Sequence, residues 1–469
     1  MEKREIGIVG LGTMGRNLAL NLSEHGYGVA GFARDPQKVL ALRQEGAGLA
    51  VDAFGSLAEM VAHLREPRAV LLLVTAGAAV DEVIEQLRPL LAPGDLIIDA
   101  GNSHFRDGER RFQHLEQHGL RFLTTGVSGG ESGARHGPSI MPSGTPEAYE
   151  RVRPLFEAIA ARAGGEPCVA YLGPRAAGHF VKMVHNGIEY GIMQLIAETY
   201  DVLRRGLGLD YPRLSEVYAS WNVGHNDSYL LAITAEVLGR LDEYTGRPLV
   251  EMILDEAKQK GTGAWTSHEA LELQVPMPTV DVAVTMRNFS GLKAERVAAS
   301  RLLRGPEPRF RGDEEAFLVR MRNALYAATI CTYAQGLALL TAASTVHDYQ
   351  IDLGQVARIW RGGCIVRAAL LDRIRSAYGR RADLPNLLLD EEIASEVMEY
   401  QSDLRAVVAT AAELGIPAPA LSVTLAYFDA YRSEVLPANL IQAQRDYFGA
   451  HTYRRTDREG TFHTKWEVE

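Results

Sequence analysis

The chain has few cysteines, and none of its apolar runs is long. Its 469 residues include only three cysteines. An odd number without the spacing of a metal site predicts reduced thiols rather than a disulfide framework. The longest apolar runs, near Ala69–Val80, are shorter than the ~20 residues that span a bilayer. The first predicted strand starts at Ile6, so no secretory leader is expected. These features predict a cytoplasmic protein.

Positive charge is also scarce. The sequence has 49 lysines and arginines against 59 aspartates and glutamates, a net charge of −10. This balance argues against nonspecific binding to nucleic acids, and a phosphate ligand would need a local cluster of basic residues. An apolar fraction of 46% is typical of a soluble globular protein, and the length predicts two or three domains.

The chain begins with a nucleotide-binding motif. A buried strand is predicted over Ile6–Val9, a helix over Arg16–Glu24, and between them lies the turn Gly10-Leu11-Gly12-Thr13-Met14-Gly15. In such turns the glycines permit the bend, admit a pyrophosphate and allow close packing of helix on strand. The phosphates then lie at the helix N-terminus. The order strand, turn, helix and a second strand over 28–33 predict a dinucleotide-binding domain.

The end of the second predicted strand bears on which cofactor binds. An acid here favours NAD because it binds the ribose 2′-hydroxyl, whereas an arginine favours the 2′-phosphate of NADP. The chain contains both, in the order Ala33-Arg34-Asp35-Pro36. A surface arginine and a helix-capping aspartate would explain the same residues without a ligand. Both interpretations stay open at this point.

Secondary-structure signals change near residue 175. Before it, strand-like runs alternate with helical runs, which predicts an α/β, Rossmann-type doubly wound parallel sheet. The predicted strands are Ile6–Val9, Val29–Ala33, Val70–Val74, Leu96–Asp99, Arg121–Thr125 and Val169–Leu172. After it, apolar-periodic segments predict a large all-α domain. These segments are Leu195–Leu203, Tyr229–Arg240, Ala324–Leu340 and Ser422–Tyr431.

We therefore expect three parts. Residues 1–176 form the dinucleotide-binding domain, residues 177–435 form the all-helical domain, and residues 436–469 form a C-terminal tail. Pro437 predicts a break between the last helix of the domain and this tail.

A polar stripe follows the change. Lys182, His185, Asn186 and Glu189 fall on one face of a predicted helix. Lys182 and Glu189 lie two turns apart, roughly 10 Å, which leaves room for a small polar molecule between a base and an acid. A solvated helix face is the usual alternative for such a pair. Apolar residues occupy the other faces, which favours a buried site: Val181, Met183, Val184, Ile188, Ile192 and Leu195.

Seven longer motifs occur in order along the chain. They are Asp99–Ser103, Gly126–Glu131, Gly137–Pro142, Gly178–Tyr190, Lys260–Gly263, Trp360–Ile365 and Gln442–His451. Together they resemble the 6-phosphogluconate dehydrogenase family in its long form, essentially from end to end. The resemblance implies oxidative decarboxylation of 6-phospho-D-gluconate to D-ribulose 5-phosphate and CO₂ with reduction of NADP, without a metal, in the pentose phosphate pathway and gluconate utilization.

The resemblance implies two catalytic residues. Lys182 matches the lysine that takes the C3 hydroxyl proton and then acts as an acid during decarboxylation. Glu189 matches the residue that protonates C1 of the enediol. A base must be neutral, so burial and nearby cations are expected to lower the pKa of Lys182. Burial beside Ile188 and Tyr190 is expected to raise the pKa of Glu189.

The resemblance also implies the binding residues. Those for the sugar acid are Asn102, Ser128, Gly129, Gly130, His185 and Asn186. Those for the phosphate are Tyr190, Lys260, Thr262, Arg287 and, from the tail, Arg445 and His451. Those for the cofactor are Gly10, Leu11, Gly12, Thr13, Met14, Gly15, Ala33, Arg34, Asp35, Val74, Thr75, Ala76 and Asn102. In the family the tail reaches the partner subunit, which implies an obligate homodimer with shared active sites.

Four positions depart from the family pattern near the cofactor. Ala33 stands where asparagine is usual, Asp35 where serine or threonine is usual, and Thr75 and Ala264 each replace a lysine. Arg34 alone can pair with a 2′-phosphate, so we expect NADP to be favoured, and use of NAD stays open.

Two other functions also stay open. A different NAD(P)-dependent β-hydroxyacid dehydrogenase, acting on an unphosphorylated acid, would not need Lys260, Arg287 and Arg445. A noncatalytic nucleotide-binding homologue would be expected to have lost Lys182 or Glu189 first.

Overall fold

The alternating strands of the N-terminal region form one twisted sheet. In a computed structural model, which describes residues 2–466, this sheet has seven strands in the order β3-β2-β1-β4-β5-β6-β7. The strands are β1 (Ile6–Val9), β2 (Val29–Phe32), β3 (Val51–Phe54), β4 (Ala69–Leu72), β5 (Leu96–Asp99), β6 (Arg121–Ser128) and β7 (Ser139–Gly144). Neighbours are parallel except β6 and β7, which are antiparallel. Strands β1, β2, β4 and β5 are buried along their whole length, because helices cover both faces of the sheet.

Helices cover both faces of this sheet and form most of the rest of the chain. Those around the sheet are α1 (Thr13–Glu24), α2 (Pro36–Glu45), α3 (Leu57–Ala62), α4 (Ala78–Leu87), α5 (Phe105–Gln117), α6 (Gly130–His136) and α7 (Pro146–Ile159). A short hairpin, β8 (Arg162–Ala163) and β9 (Glu166–Pro167), follows α7.

The remaining helices begin with α8 (Ala177–Asp201), whose last turn runs into a π-helical segment, Val202–Gly206. After it come α9 (Tyr211–Trp221), α10 (Tyr229–Gly239), α11 (Leu249–Met252), α12 (Thr262–Glu272), α13 (Pro278–Ser290), α14 (Lys293–Leu302), α15 (Glu314–Val346), α16 (Leu353–Trp360), α17 (Leu370–Arg380), α18 (Glu391–Glu413), α19 (Pro419–Tyr431) and α20 (Ala438–Gly449). The predicted α/β and all-α regions are confirmed. The chain divides into two compact units between Thr424 and Leu425.

The predicted strands differ from the structure in two ways. Four strands, β3, β7, β8 and β9, were not expected, and the predicted strand Val169–Leu172 is not a strand. That segment runs beside β7, where it makes a single bridge between Ile140 and Val169 and a hydrogen bond from Leu172 N to Pro142 O of 2.9 Å. Pro142 has no N–H to donate, so the segment cannot form a continuous ladder along this edge.

The centre of the larger unit is the contact between α8 and α15. Glycines let the two helices approach closely, because a Cβ added at Gly336 would lie 2.5 Å from the Ile188 side chain. By length and apolar composition α15 would pass as a membrane span, yet 83% of its most apolar stretch is buried. The helical segment predicted over Ala324–Leu340 lies within this helix. Its burial identifies it as a core helix, as in soluble proteins.

Candidate active site

The start of α8 packs directly onto the sheet. Gly178 N–H donates a hydrogen bond of 2.7 Å to Ser143 Oγ on β7. A Cβ added at Gly178 would lie 2.1 Å from Met141 O, and one added at Gly126 would lie 2.5 Å from the Lys182 Cβ. Only glycine permits these approaches. They place Lys182 directly against β6, two residues before Ser128.

The predicted polar stripe is buried and forms one cluster. Lys182 Nζ lies 3.4 Å from His185 Nδ1, and His185 Nε2 lies 3.3 Å from Ser128 Oγ. His185 Nδ1 also lies 3.1 Å from Asn186 Oδ1 and 3.8 Å from Glu189 Oε2. Lys182 is 7% exposed, His185 is fully buried, and the Glu189 side chain is 21% exposed. The alternative of a solvated helix face is therefore wrong.

Burial shifts the pKa values of the two proposed acid–base groups in opposite directions. It lowers the pKa of Lys182 and raises the pKa of Glu189, since each charged form loses hydration. Nearby cations were also expected to lower the pKa of Lys182, but among the described residues none does so. Besides burial, the groups that act on its amine are Glu189 and Cys364, and both raise its pKa. Burial therefore accounts for the lowering.

His185 is held as a neutral ring. Burial, followed by the neighbouring Lys182 charge, lowers its pKa well below the usual range. A ring that donates from Nδ1 to Asn186 Oδ1 and accepts from Ser128 Oγ at Nε2 satisfies both contacts. The Trp360 indole packs edge-on against this ring, with centroids 5.3 Å apart. Trp360 was noticed only as part of a motif, because the sequence gives no sign of a contact with a residue so far away in the chain.

The Ser-Gly-Gly turn at the end of β6 is shaped by its glycines. Gly129 and Gly130 have φ values of +113° and +62°, in the region that disfavours other residues. A Cβ at Gly129 would lie 2.6 Å from Gly363 O, so the loop after Trp360 packs tightly beneath the turn. Successive backbone N–H groups in such a turn suit a carboxylate.

Asn102 lies exposed in the loop after β5, and buried Asp99 shapes this loop. Asp99 accepts hydrogen bonds from Gly101 N–H (3.1 Å), the Ser103 hydroxyl (2.7 Å) and the Arg111 guanidinium (3.1 Å). Together these contacts explain the Asp99–Ser103 motif. They hold the loop without using the exposed Asn102 side chain.

Three predicted phosphate residues meet where α8, α12 and α13 come together. The Arg287 guanidinium carbon lies 3.6 Å from the centre of the Tyr190 ring. Tyr190 in turn packs on the first turn of α12, because a Cβ at Gly263 would lie 2.4 Å from its ring. Thr262 begins that helix, whose free N-terminal N–H groups favour an anion. Lys260 lies exposed in the preceding loop.

The glycine-rich turn opens a cleft of about 410 Å³ at the carboxyl ends of β1, β2 and β4. Eight of the predicted cofactor residues line it: Gly10, Leu11, Gly12, Ala33, Arg34, Asp35, Val74 and Thr75. A Cβ on Gly12 would meet no described protein atom within 4 Å, so this position opens on the space that a pyrophosphate needs. A Cβ on Gly15 would lie 1.9 Å from Gly10 O, which fits its packing role. The cleft thus fits a dinucleotide.

The other predicted cofactor residues surround the cleft without lining it. Thr13 and Met14 form the first turn of α1 together with Gly15, and Ala76 lies in the loop before α4. Asn102, as described above, follows β5.

The structure clarifies the conflict between Arg34 and Asp35. The Asp35 carboxylate accepts a hydrogen bond of 2.9 Å from Gln37 N–H and caps α2, which starts with Pro36. Its charge is therefore partly offset by the helix N-terminus. Lys38, one turn further along α2, is exposed and lines the same cleft as Arg34. Sequence analysis missed Lys38, although its position three residues after a helix cap was a usable signal.

Arg445 and His451 belong to the smaller unit. Arg445 lies on α20, and His451 follows the end of this helix. Both side chains are exposed. Within this unit Arg445 donates a hydrogen bond of 3.0 Å to Gln442 Oε1, and the His451 ring packs edge-on against Phe448 with centroids 5.9 Å apart.

Two family models cover the chain. One, the NAD binding domain of 6-phosphogluconate dehydrogenase, matches residues 5–173. The other, the C-terminal domain of 6-phosphogluconate dehydrogenase, matches residues 178–466.

The similarity extends over whole relatives. The chain is 51% identical over 467 residues to the NADP(+)-dependent, decarboxylating 6-phosphogluconate dehydrogenase of Bacillus subtilis, with 99% of this chain and 100% of the relative covered. It is 53% identical over 473 residues to the decarboxylating enzyme of Synechococcus elongatus, with 99% and 100% covered. The solved structure of Plasmodium falciparum 6-phosphogluconate dehydrogenase, described in apo form and with NADP+ or 6-phosphogluconate, matches with a TM-score of 0.96 at 44% identity. It covers 98% of this chain and 100% of that one.

Proposed function

The chain belongs to the 6-phosphogluconate dehydrogenase family, and we propose that it converts 6-phospho-D-gluconate to D-ribulose 5-phosphate and CO₂ with reduction of NADP. The observation that carries the proposal is the buried cluster of Lys182, His185, Ser128 and Glu189. A dinucleotide cleft is formed by the same unit, which also holds an arginine suited to phosphate, Arg287. The unit thus combines an acid, a base, a cleft for the cofactor and an arginine that can bind the phosphate.

Lys182 begins the reaction. With a pKa lowered by burial, its neutral amine takes the proton of the C3 hydroxyl. Bound NADP supplies the acceptor for the hydride that leaves C3. Neutral His185, whose Nδ1 lies 3.4 Å from the amine, adds no competing positive charge.

The same lysine then acts as an acid. Oxidation at C3 leaves a β-keto acid, and the protonated amine of Lys182 donates to the C3 oxygen as CO₂ leaves C1. The electrons of the broken bond form the enediol. Protonated Glu189 delivers a proton to the carbon that bore the carboxylate, while Lys182 takes back the hydroxyl proton to form the ketone. Burial favours the protonated form of Glu189, because it raises the pKa of this carboxyl.

Specificity for a phosphorylated sugar acid rests on the positive charges of Arg287 and Lys260. Arg287 is part-buried and stacked on Tyr190, so its planar guanidinium is held in place for a phosphate. Exposed Lys260 adds a point charge, and Thr262 adds a hydroxyl at a helix N-terminus. A dehydrogenase for unphosphorylated acids would not need this cluster, and a noncatalytic homologue would not need Lys182 and Glu189 together.

A steady-state assay tests this function. The purified protein should reduce NADP with 6-phosphogluconate and release one CO₂ per NADPH. D-gluconate, which lacks the phosphate, should react at least about 100-fold less efficiently, since a charged group paired with arginine contributes strongly to binding. Equal efficiency with gluconate, or NADPH formation without CO₂, would contradict the proposal.

We expect NADP to be preferred over NAD through Arg34 with Lys38. Arg34→Ala should raise the KM for NADP by about 10-fold or more, because a charge-assisted pair with the 2′-phosphate is lost. The KM for NAD should change little, so NAD is the internal control. Asp35 is engaged as the cap of α2, so Asp35→Asn should help NADP only modestly. An equal rise for both cofactors in Arg34→Ala would mean that Arg34 does not read the 2′-phosphate.

The opposite pKa shifts predict a bell-shaped pH dependence of kcat/KM. Activity should rise with pH as Lys182 loses its proton and fall as Glu189 loses its proton. Glu189→Gln should remove the alkaline fall from the remaining activity, since glutamine does not ionise. Initial rates across the pH range in which both proteins stay folded will check this, with circular dichroism as the folding control. An unchanged alkaline limb would assign it to another group.

We propose that the protein is a cytoplasmic homodimer. Each chain would consist of a dinucleotide-binding domain (1–176), a helical domain (177–435) and a C-terminal tail (436–469). The tail would complete the partner's active site with Arg445 and His451. The exposed apolar side chains of α20 support this, because a helix rarely presents so many to water: Leu440, Ile441, Tyr447 and Phe448 are 62%, 59%, 60% and 72% exposed.

A further inference from the structure

A single carboxylate organises the C-terminal unit. The Asp446 side chain on α20 is fully buried, although most of its neighbours are exposed. Oδ1 accepts hydrogen bonds of 2.9 Å from Thr452 N–H and from His463 Nδ1. Oδ2 accepts bonds of 3.0 Å from Thr464 N–H and 2.9 Å from Trp466 Nε1. Four donors from two later stretches of chain therefore converge on one group.

The Asp446 carboxylate is ionised at neutral pH. Burial alone would raise the pKa of Asp446, but hydrogen bonds from Thr464, His463, Trp466 and Thr452 outweigh it and hold the pKa well below its usual range. Each bond is strengthened because the acceptor carries charge. The network therefore does not loosen near neutral pH.

The network holds a strained loop that contains His451. Ala450 and Thr452 have φ values of +48° and +61°, a left-handed conformation that non-glycine residues adopt at a cost. Such a loop persists only where other contacts hold it. Thr452 N–H is bound by Asp446, and its carbonyl accepts a hydrogen bond of 2.6 Å from Gln442 Nε2.

The same network reaches Arg445. The amide oxygen of Gln442 accepts the hydrogen bond from Arg445, while its amide nitrogen binds Thr452 O. The His451 ring lies over Gly449, where an added Cβ would be 2.7 Å from Nε2. Arg445 and His451 are thus connected through Gln442 and Thr452 to the buried carboxylate.

We propose that Asp446 is a positioning residue that presents Arg445 and His451 as one preformed phosphate-binding unit. The inference rests on the proposed function, in which these two residues bind the substrate phosphate. Preorganisation reduces the entropy that phosphate binding would otherwise cost, so the effect should appear in substrate binding rather than in the chemical steps. A purely structural role would change stability and leave the KM for substrate unchanged.

The test compares Asp446→Asn with a matched control. The asparagine side chain keeps the size of the aspartate but replaces one acceptor by a donor, which breaks the bonds at that atom. Asp457→Asn makes the same change on an exposed carboxylate that pairs with Arg455 and Arg458 in the same unit. For each full-length protein we would measure kcat, the KM for 6-phosphogluconate and for NADP, the inhibition constant of inorganic phosphate, and the oligomeric state.

Asp446→Asn should raise the KM for 6-phosphogluconate and the inhibition constant of phosphate by about 10-fold, with kcat and the KM for NADP within about 2-fold of the native protein. Asp446→Glu should recover part of the loss, and Asp457→Asn should match the native protein. An unchanged KM in Asp446→Asn, while Arg445→Ala raises it, would overturn the proposal. An unchanged KM in Arg445→Ala would overturn the role of the tail itself, and this inference with it.

A second variant keeps the test decisive if Asp446→Asn does not assemble. Trp466→Phe removes one of the four donors and retains an aromatic ring. We expect it to raise the same KM by about 3-fold, in line with the loss of one hydrogen bond. An unchanged KM in Trp466→Phe with a normal oligomeric state would overturn the proposal.

Discussion

Lys182→Met should fold and bind both substrates, yet its kcat should fall by about 10²–10⁴-fold, the usual cost of losing a positioned acid–base group. Methionine has nearly the same length as lysine and is apolar, so it suits a position that is only 7% exposed. The native base and acid roles both depend on the lost amine. Steady-state rates of NADPH formation will measure the effect, and fluorescence titration will check that NADP still binds.

Glu189→Gln should lower kcat in the same way, because glutamine keeps the shape of the acid and cannot deliver a proton to carbon. Lys293→Met is the matched control for the lysine variant. Lys293 is 42% exposed and pairs with Asp255, away from the cluster around His185. This control should keep native rates. Near-native kcat in both Lys182→Met and Glu189→Gln would contradict the proposed mechanism.

Mixing two impaired proteins should restore activity at low substrate concentration if the active sites are shared between subunits. One parent carries Lys182→Met and the other carries Arg445→Ala, and the chains are exchanged under mild dissociating conditions. In a hybrid dimer with shared sites, one pocket receives the native Lys182 of one chain and the native Arg445 of the other. The second pocket receives both substitutions and stays inactive.

The size of the recovery is also predicted. Random exchange of equal amounts makes half of the dimers hybrid, so about a quarter of the native activity should return at substrate concentrations below KM. Each parent carried alone through the same exchange is the control. Native mass spectrometry will confirm that the hybrid has formed. A hybrid without activity would mean that Arg445 serves the site of its own chain.

Local patterns were sufficient to predict the main elements of this fold. The nucleotide turn could be recognised because strand, glycines and helix follow one another directly. The stripe on α8 could be recognised because its four residues are spaced by the helical repeat, and the structure confirms both the helix and its burial. The family resemblance was equally visible, since its motifs are continuous stretches of chain.

Predictions failed or stayed open where distant residues act. The strand predicted over Val169–Leu172 depends on Pro142 across the sheet edge, which cannot donate a hydrogen bond. Asp35 is an exception, because its cap on α2 is a local contact with Gln37. The sequence left its role open only because an acid at this position also suits the ribose 2′-hydroxyl.

The same limit applies within the site. His185 meets Trp360 and Ser128, and Asp446 meets Trp466, only after the chain has folded. The sequence alone therefore determined which chemical groups are available and which helices and strands carry most of them. The tertiary structure alone decided which groups are buried, what each one contacts and how burial shifts its pKa. Hydration and hydrogen bonding depend on the neighbours in space, and these are not the neighbours in the chain.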